Sequence, residues 1–179
     1  MAQTTITEAL AELKIIGKRI EKKREFILTY LIRQEIFKDP LEKDGGTASA
    51  IQRELQSVHD LEERAVSIRR GIQQANESTT ITVGKQTRSI SDWLVWRREI
   101  APKQQQFLTS VRGQIDLARR EAAQKGRSPS ANPTETKSND LVVNINEQDL
   151  TREIESLEEI LGTLDGQLSL KNATVLIDV

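Results

Sequence analysis

The chain has 179 residues, a net charge of −1 from 26 Lys and Arg against 27 Asp and Glu, and no cysteine. The balanced charge gives no overall attraction to nucleic acid or anionic membrane, and the lack of thiols excludes disulfides and thiolate metal sites. Charged residues make up 30% of the chain and aromatic residues only 3%. This composition is typical of long exposed helices with narrow apolar stripes, so we expect an elongated molecule that shares surface with other chains.

Four segments repeat apolar residues at steps of three and four, the spacing of a helix with one buried face. They predict a mainly α fold, an antiparallel helical hairpin or bundle of about four long helices with a small β-hairpin and short terminal strands. The four stripes are Ile6, Leu10, Leu13, Gly17, Ile20, Ile27 and Leu31; Ile51, Leu55, Val58, Ala65, Ile68, Ile72 and Ala75; Trp93, Ile100, Phe107, Val111, Ile115 and Ala118; and Leu150, Ile154, Leu157, Leu161, Leu164 and Leu168.

The first helix is predicted to begin after Thr5, which can form a capping box with Glu8. It can run to about Lys38, because Asp39-Pro40 stops a helix there. Extra apolar residues near this end predict burial on two sides: Leu28, Leu31, Ile32, Ile36 and Phe37.

Gly45-Gly46 marks a turn before the second helix, predicted over 47–76, and the short connection favours an antiparallel hairpin. The period then changes. Residues 79–83 are β-branched throughout, 84–86 are turn-like, and 87–90 can form a returning strand. These features predict a β-hairpin that must lie against a helix, because an isolated hairpin is marginal in water.

The third helix is predicted over 91–125, with Ser89 and Asp92 forming a second capping box. Pro102 lies inside it and should kink it or separate its first turns. Two tryptophans near its start are interpreted as the anchor of the hairpin, with a ligand or partner pocket as the alternative: Trp93 and Trp96.

The chain is expected to divide into three parts: residues 1–125, a polar arm at 126–140, and 141–179 packing on the same bundle. The arm has no apolar anchor and is a candidate for partner contact through Ser128 and Asn132. Asn146 with Asp149 caps a fourth helix predicted over 147–170, and residues 141–145 are a candidate strand.

An apolar strand is predicted at the end of the chain, over 174–179, and an unpaired apolar edge would favour aggregation. Its partner could be the strand at 141–145, the hairpin at 79–90, or a neighbouring subunit, which we favour. In a strand, Val175, Ile177 and Val179 lie on one face and Leu176 lies on the other. These four residues, with the two tryptophans and the arm residues, are the predicted partner contacts.

No residue pattern indicates catalysis, a cofactor or a metal site. His59 is the only histidine, and a transition-metal site or a nucleophile–base pair would need a second ligand or partner. The segment 84–87 has the Gly-Lys order of a phosphate loop, but Thr79 stands where that loop needs glycine. We therefore expect a protein that is not an enzyme.

Charge is uneven along the chain. Residues 14–24 are mainly basic and residues 147–159 mainly acidic. We interpret these helix faces as pairing with each other or with a neighbouring chain. The alternative is a phosphate-binding stripe, which the lack of interleaved aromatic residues disfavours.

The middle of the chain resembles the septicolysin-like family of small bacterial and phage-encoded helical proteins. The resemblance is carried by residues 68–76, Gly84, Leu94 and Arg97-Arg98. It implies a helical hairpin, a short β-hairpin containing glycine, a further helix, and then a strand and a final helix. The order of elements matches over most of the chain, whereas the corner after the second helix departs from the family pattern at Gln74 and Ala75, and the ending of the chain also differs from it.

The pattern of cysteine-free, heptad-rich segments with a polar arm is also similar to minor structural proteins of tailed-phage virions. From it we expect a capsid cement, decoration, tail or connector protein that packs against itself, a major capsid protein or a tail protein. It would be made in the host cytoplasm and located in the virion, without a nucleic-acid or membrane partner. No signal peptide or membrane-spanning run is visible. The alternatives are a membrane-active protein, from the apolar residues at 26–37, and a nucleic-acid accessory protein using 14–24.

Overall fold

The computed structural model describes residues 3–125 and 143–178, and it is mainly α-helical. The long helices are α1 (Ile6–Tyr30), α2 (Thr47–Ser78), α4 (Ala101–Lys125) and α5 (Glu147–Thr174). A one-turn 3₁₀ helix covers Glu42–Asp44, a short helix α3 covers Ile90–Val95, and a π-helical turn covers Trp96–Ile100. The strands are β1 (Gln3–Thr5), β2 (Thr80–Val83), β3 (Gln86–Ser89) and β4 (Leu176–Asp178).

Two compact units make up the described chain. One contains residues 3–80 with 167–178, and the other contains 81–125 with 143–166. The division lies between α2 and β2 and again inside α5. The boundaries expected at 125 and 140 adjoin or fall within the segment 126–142, which is not described, and they stay a prediction. The arm at 126–140 lies outside the described residues.

In the first unit, α1 and α2 form an antiparallel hairpin. Lys23 pairs with Glu54 at 2.7 Å and Glu12 with Arg64 at 2.9 Å, so numbering rises on one helix as it falls on the other. The capping box of Thr5 and Glu8 begins α1 as predicted. The core is formed by aliphatic residues from both helices and β4: Ile6, Ala9, Ile16, Ile68, Ala75 and Ile177.

The predicted extension of the first helix to Lys38 is wrong, because α1 ends at Tyr30. The antiparallel register places Tyr30 opposite Thr47, the first residue of α2. Beyond that point α1 has no α2 surface beside it, and helices are maintained mainly by packing of their apolar face. The predicted burial of the last apolar residues on two sides is also wrong, since Ile32 is 86% exposed.

The terminal strand pairs within the chain, with a partner that was not among the three expected ones. β4 runs antiparallel to β1, with Gln3 opposite Asp178 and Thr5 opposite Leu176. The prediction that this strand pairs with a neighbouring subunit is therefore wrong, and so are the two alternatives, the strand at 141–145 and the hairpin at 79–90. The predicted alternation is confirmed, because Ile177 is buried and Leu176 is exposed. A Cβ at Gly71 would lie 3.2 Å from the carbonyl oxygen of Asp178, so glycine allows β4 to approach α2 closely.

In the second unit, the β-hairpin and the break near Pro102 are as predicted. β2 pairs with β3, and Gly84 in the turn has a φ of +58°, which glycine adopts without a steric penalty. Ser89 caps α3 by accepting a hydrogen bond from the backbone N–H of Asp92. The π-helical turn ends two residues before Pro102, which has no N–H to donate.

The π-helical turn corrects the third predicted stripe. A π turn adds one residue to a helix, which moves the two stripe positions that follow Trp93 by one residue, whereas Val111 and Ile115 pack against the core as predicted. Ala101 and Leu108 are therefore buried where Ile100 and Phe107 were predicted.

α4 and α5 are antiparallel, with Arg119 paired to Glu147 and Arg97 to Asp165. The stripe on α5 is confirmed, because Leu150, Leu157, Leu164 and Leu168 are all buried. Asn146 caps α5 by accepting hydrogen bonds from the N–H groups of Gln148 and Asp149. Residues 143–145 form no strand, and residues 141 and 142 of that predicted strand lie outside the description.

Candidate protein-contact site

Five large apolar side chains at the α1–α2 connection point into solvent, and together they are named the apolar tip. Their exposed fractions are 71% for Leu28, 56% for Leu31, 86% for Ile32, 83% for Ile36 and 60% for Phe37. Scattered single apolar residues are ordinary on protein surfaces, but five exposed large apolar side chains within ten residues make this segment a candidate contact site.

The backbone of the tip is held in place by its own hydrogen bonds. The N–H of Phe37 donates to the carbonyl oxygen of Gln34 at 3.1 Å. The guanidinium of Arg33 donates to the carbonyl oxygen of Phe37 at 2.7 Å. A contact loop that is already ordered loses less conformational entropy when it binds.

Asp39 fixes the C-terminal side of the same connection. Its carboxylate accepts hydrogen bonds from the backbone N–H of Leu41 at 2.9 Å and of Thr47 at 2.9 Å, and from the Thr47 hydroxyl. These hydrogen bonds lower the pKa of the Asp39 carboxyl from 3.8 to about 2, and the bond from the Thr47 hydroxyl has the largest effect. Thr47 is buried at the start of α2, so Asp39 ties the connection to the helical hairpin.

Charged residues of both signs lie among and beside the tip residues in the sequence. They are Glu25, Arg33, Glu35, Lys38, Asp39, Glu42, Lys43 and Asp44. Glu35 and Lys38 form no ion pair with any other described residue. The apolar side chains are thus interrupted by charged groups, and among these Glu35 and Lys38 lie between or directly beside tip residues.

The two tryptophans have different surroundings. Trp93 is 2% exposed and its indole Nε1 donates to the carbonyl oxygen of Ile81 at 3.0 Å, so its predicted role as anchor of the β-hairpin is confirmed. Trp96 packs edge-on against Trp93, with ring centroids 5.5 Å apart. It is half-buried and also contacts the core of α4 and α5.

Trp96 lines a cleft of about 420 Å³ in the second unit, named here the Trp96 cleft. Its apolar walls include Phe107, Leu157 and Ile160, and its polar lining includes Gln104 and Glu153. Phe107 is 67% exposed. The volume is within the range of sites that bind small molecules or single side chains of a partner.

Among the other predicted contact residues, some pack in the core, one is exposed and three are not described. Val175 and Ile177 pack against the core of the first unit, and Leu176 is exposed on β4. Val179, Ser128 and Asn132 lie outside the described residues. On β1, the backbone N–H of Thr5 is not open to a further strand, because it donates a hydrogen bond to the Glu8 carboxylate at 2.9 Å.

The basic run pairs in part within the α1–α2 hairpin. Lys23 and Arg24 meet Glu54 and Glu62 of α2, each at 2.7 Å. In the acidic run, Glu147 pairs with Arg119, so the described ion pairs do not join the two runs to each other.

Potential reactive groups are isolated. His59 lies on the surface of α2, 3.3 Å from Glu63. Within 3–125 and 143–178, no group of three or more His, Asp or Glu side chains is arranged to hold a metal ion. The described residues contain no helix that is both long and apolar enough to cross a bilayer.

The apolar tip was not predicted as a contact site. Its residues carried a signal, namely large apolar side chains interrupted by Arg33, Glu35 and Lys38, but a helix buried on two sides explained the same pattern. Only the position of the start of α2 distinguishes the two interpretations.

No protein-family model matches the chain, and neither a curated protein nor a solved structure is significantly similar to it. The septicolysin-like resemblance therefore stays a prediction.

Proposed function

We propose that the chain is a non-catalytic assembly protein that binds another protein through the apolar tip, and that it is a structural component of a phage virion. The observation that supports the proposal is the tip itself, five exposed apolar side chains on a connection held by hydrogen bonds at both ends. Burying such side chains provides the main free energy of protein association.

A protein surface suits the tip better than a lipid surface. Ile32, Ile36 and Phe37 lie beyond the end of α1 at Tyr30, so the tip does not form the amphipathic helix, with one apolar and one basic face, that binds to the surface of a bilayer. Alternating charges instead match the polar rim that surrounds the apolar centre of a typical protein interface. Nucleic acid is disfavoured as a partner, because Lys23 and Arg24 of the basic run already pair with carboxylates of α2.

Mass spectrometry of purified particles from the source organism tests the proposal. We expect the chain in the particle fraction at a fixed ratio to a major structural protein, in the capsid, the tail or the connector between them. Recovery of the chain only as free monomer, from lysates in which particles have assembled, would contradict the proposal.

A membrane-active function is the second candidate, because the exposed tip could also enter the interfacial region of a bilayer. Flotation with liposomes of neutral and of anionic lipids separates the two. The assembly proposal predicts that the chain stays in the dense fraction with both lipids. Flotation that is lost on Ile36→Glu but kept on Leu55→Glu, an exposed position on α2, would establish the membrane-active function instead.

A further inference from the structure

We propose that the apolar tip of one copy of this chain binds in the Trp96 cleft of a second copy, so that copies associate head to tail. This inference rests on the proposed function, because it names the partner of the same tip. It is supported by three correspondences between the tip and the cleft.

The first correspondence is in apolar shape. The tip presents an aromatic side chain, Phe37, beside the aliphatic Ile36, and both are mostly exposed. The cleft presents the aromatic rings of Trp96 and Phe107 with the aliphatic Ile160. Aromatic residues in pockets are the usual centres of binding energy in protein interfaces.

The second correspondence is in charge. The tip carries the unpaired ions Glu35 and Lys38, and the cleft carries Arg88 and Glu153. Arg88 lies over the Trp93 ring, 5.0 Å from its centroid, and Glu153 has no ion pair among the described residues. Each of these two ions of the tip therefore has an opposite charge at the cleft, as the complementary charges of a protein interface require.

The third correspondence is in hydrogen bonding. Residues 32–34 have no regular secondary structure, so their backbone groups are not used in a helix or a sheet, and within the described part of the chain only the Gln34 carbonyl is engaged, by the N–H of Phe37. The cleft offers side chains that make no hydrogen bond in the described structure and that can both donate and accept: Gln86, Gln104 and Ser156. Carboxamide groups are well suited to pairing with an open backbone.

Because the tip and the cleft are different surfaces, each contact between two copies leaves one cleft and one tip free. A series of such contacts continues until it closes as a ring of two or more copies, or it extends as a filament.

Sedimentation velocity of the full chain over a concentration series tests the inference. Ile36→Glu places a charge on the tip and Phe107→Glu places a charge in the cleft, so that each disrupts one of the two surfaces. Leu55→Glu and Leu117→Glu are the matched controls, one at an exposed position of each unit. We expect wild type and both controls to form dimers or larger oligomers as the concentration rises. We expect each test variant alone to associate at least about tenfold more weakly.

An equimolar mixture of the two test variants gives the decisive result. Ile36→Glu keeps its cleft and Phe107→Glu keeps its tip, so the mixture should form dimers and nothing larger. A mixture that stays monomeric, a wild type that is monomeric throughout, or a Phe107→Glu variant that associates like wild type would overturn the inference. If only Ile36→Glu reduces incorporation into particles, the proposed function stands and the partner is another protein. If neither variant changes association or incorporation, both proposals fail.

Discussion

Trp93 holds the β-hairpin against the helices by donating a hydrogen bond from its indole Nε1 to the carbonyl oxygen of Ile81, at 3.0 Å. Both residues are almost fully buried. The bond therefore satisfies a carbonyl group that water does not reach, and an isolated two-stranded hairpin would be marginal without such support.

We expect Trp93→Phe to lower the free energy of unfolding by about 2–4 kcal/mol, through the lost hydrogen bond and the smaller ring. Urea unfolding measures this change. Trp96→Phe is the control, since the Trp96 indole makes no hydrogen bond in the described structure, and it should cost less than about 1.5 kcal/mol. Equal losses at the two positions would contradict the anchoring role.

The π-helical turn predicts unequal effects at neighbouring positions of α4. Leu108→Ala should lower the free energy of unfolding by about 2–4 kcal/mol, because Leu108 is buried against Leu150 and Leu157. Phe107→Ala should cost less than about 1 kcal/mol, because the ring is mostly exposed. The opposite order would mean that the helix continues without the extra residue and that the original stripe is the buried one.

Because β4 pairs within its own chain, we expect the stability of a single folded chain to depend on this strand. Ile177→Ala should reduce stability by about 2–4 kcal/mol, since Ile177 belongs to the core that includes Ile6 and Ile68. Leu176→Ala, on the exposed face, should cost less than about 1 kcal/mol. Thermal unfolding at low protein concentration gives both values, and equal small effects would indicate a strand that is not docked on its own chain.

The hydrogen bonds to the Asp39 carboxylate should make the folded chain less stable in acid. Its pKa is lowered from 3.8 to about 2 in the folded chain, so its contribution is fully present above pH 3.8 and disappears as the pH falls to about 2. Asp39→Asn should be less stable than wild type at pH 6, and the difference should shrink between about pH 4 and about pH 2. A difference that is constant over this range would show that the carboxylate charge is not what Thr47 and Leu41 recognise.

Much of the fold follows from local sequence. The capping box at Thr5, the N-cap at Ser89, the turn at Gly45-Gly46, the β-hairpin and the stripe on α5 depend on residues close together in the chain. At Ser89 the reciprocal bond of the predicted capping box is absent, because the Asp92 carboxylate accepts from the Ser89 hydroxyl and not from its backbone N–H. The end of α1, the shift of the buried face after Trp96 and the β1–β4 pair were missed. Each of these depends on what lies opposite in space, which a single sequence does not state.

The contact site follows the same rule. Exposed and buried apolar residues look alike in sequence, so residues 28–37 were interpreted as core. Val175 and Ile177 were predicted as partner contacts because the β1 strand, formed by polar residues before α1, gave no apolar signal of its own.

The central claim is that the apolar tip binds a protein within a larger assembly. It is tested most directly by the fraction of Ile36→Glu that is incorporated into particles when the variant replaces the wild-type chain, with Leu55→Glu as the matched control. We predict that Leu55→Glu is incorporated like wild type, and that Ile36→Glu remains folded by circular dichroism but falls at least about tenfold in the particle fraction. Incorporation of folded Ile36→Glu at the wild-type level would contradict the claim.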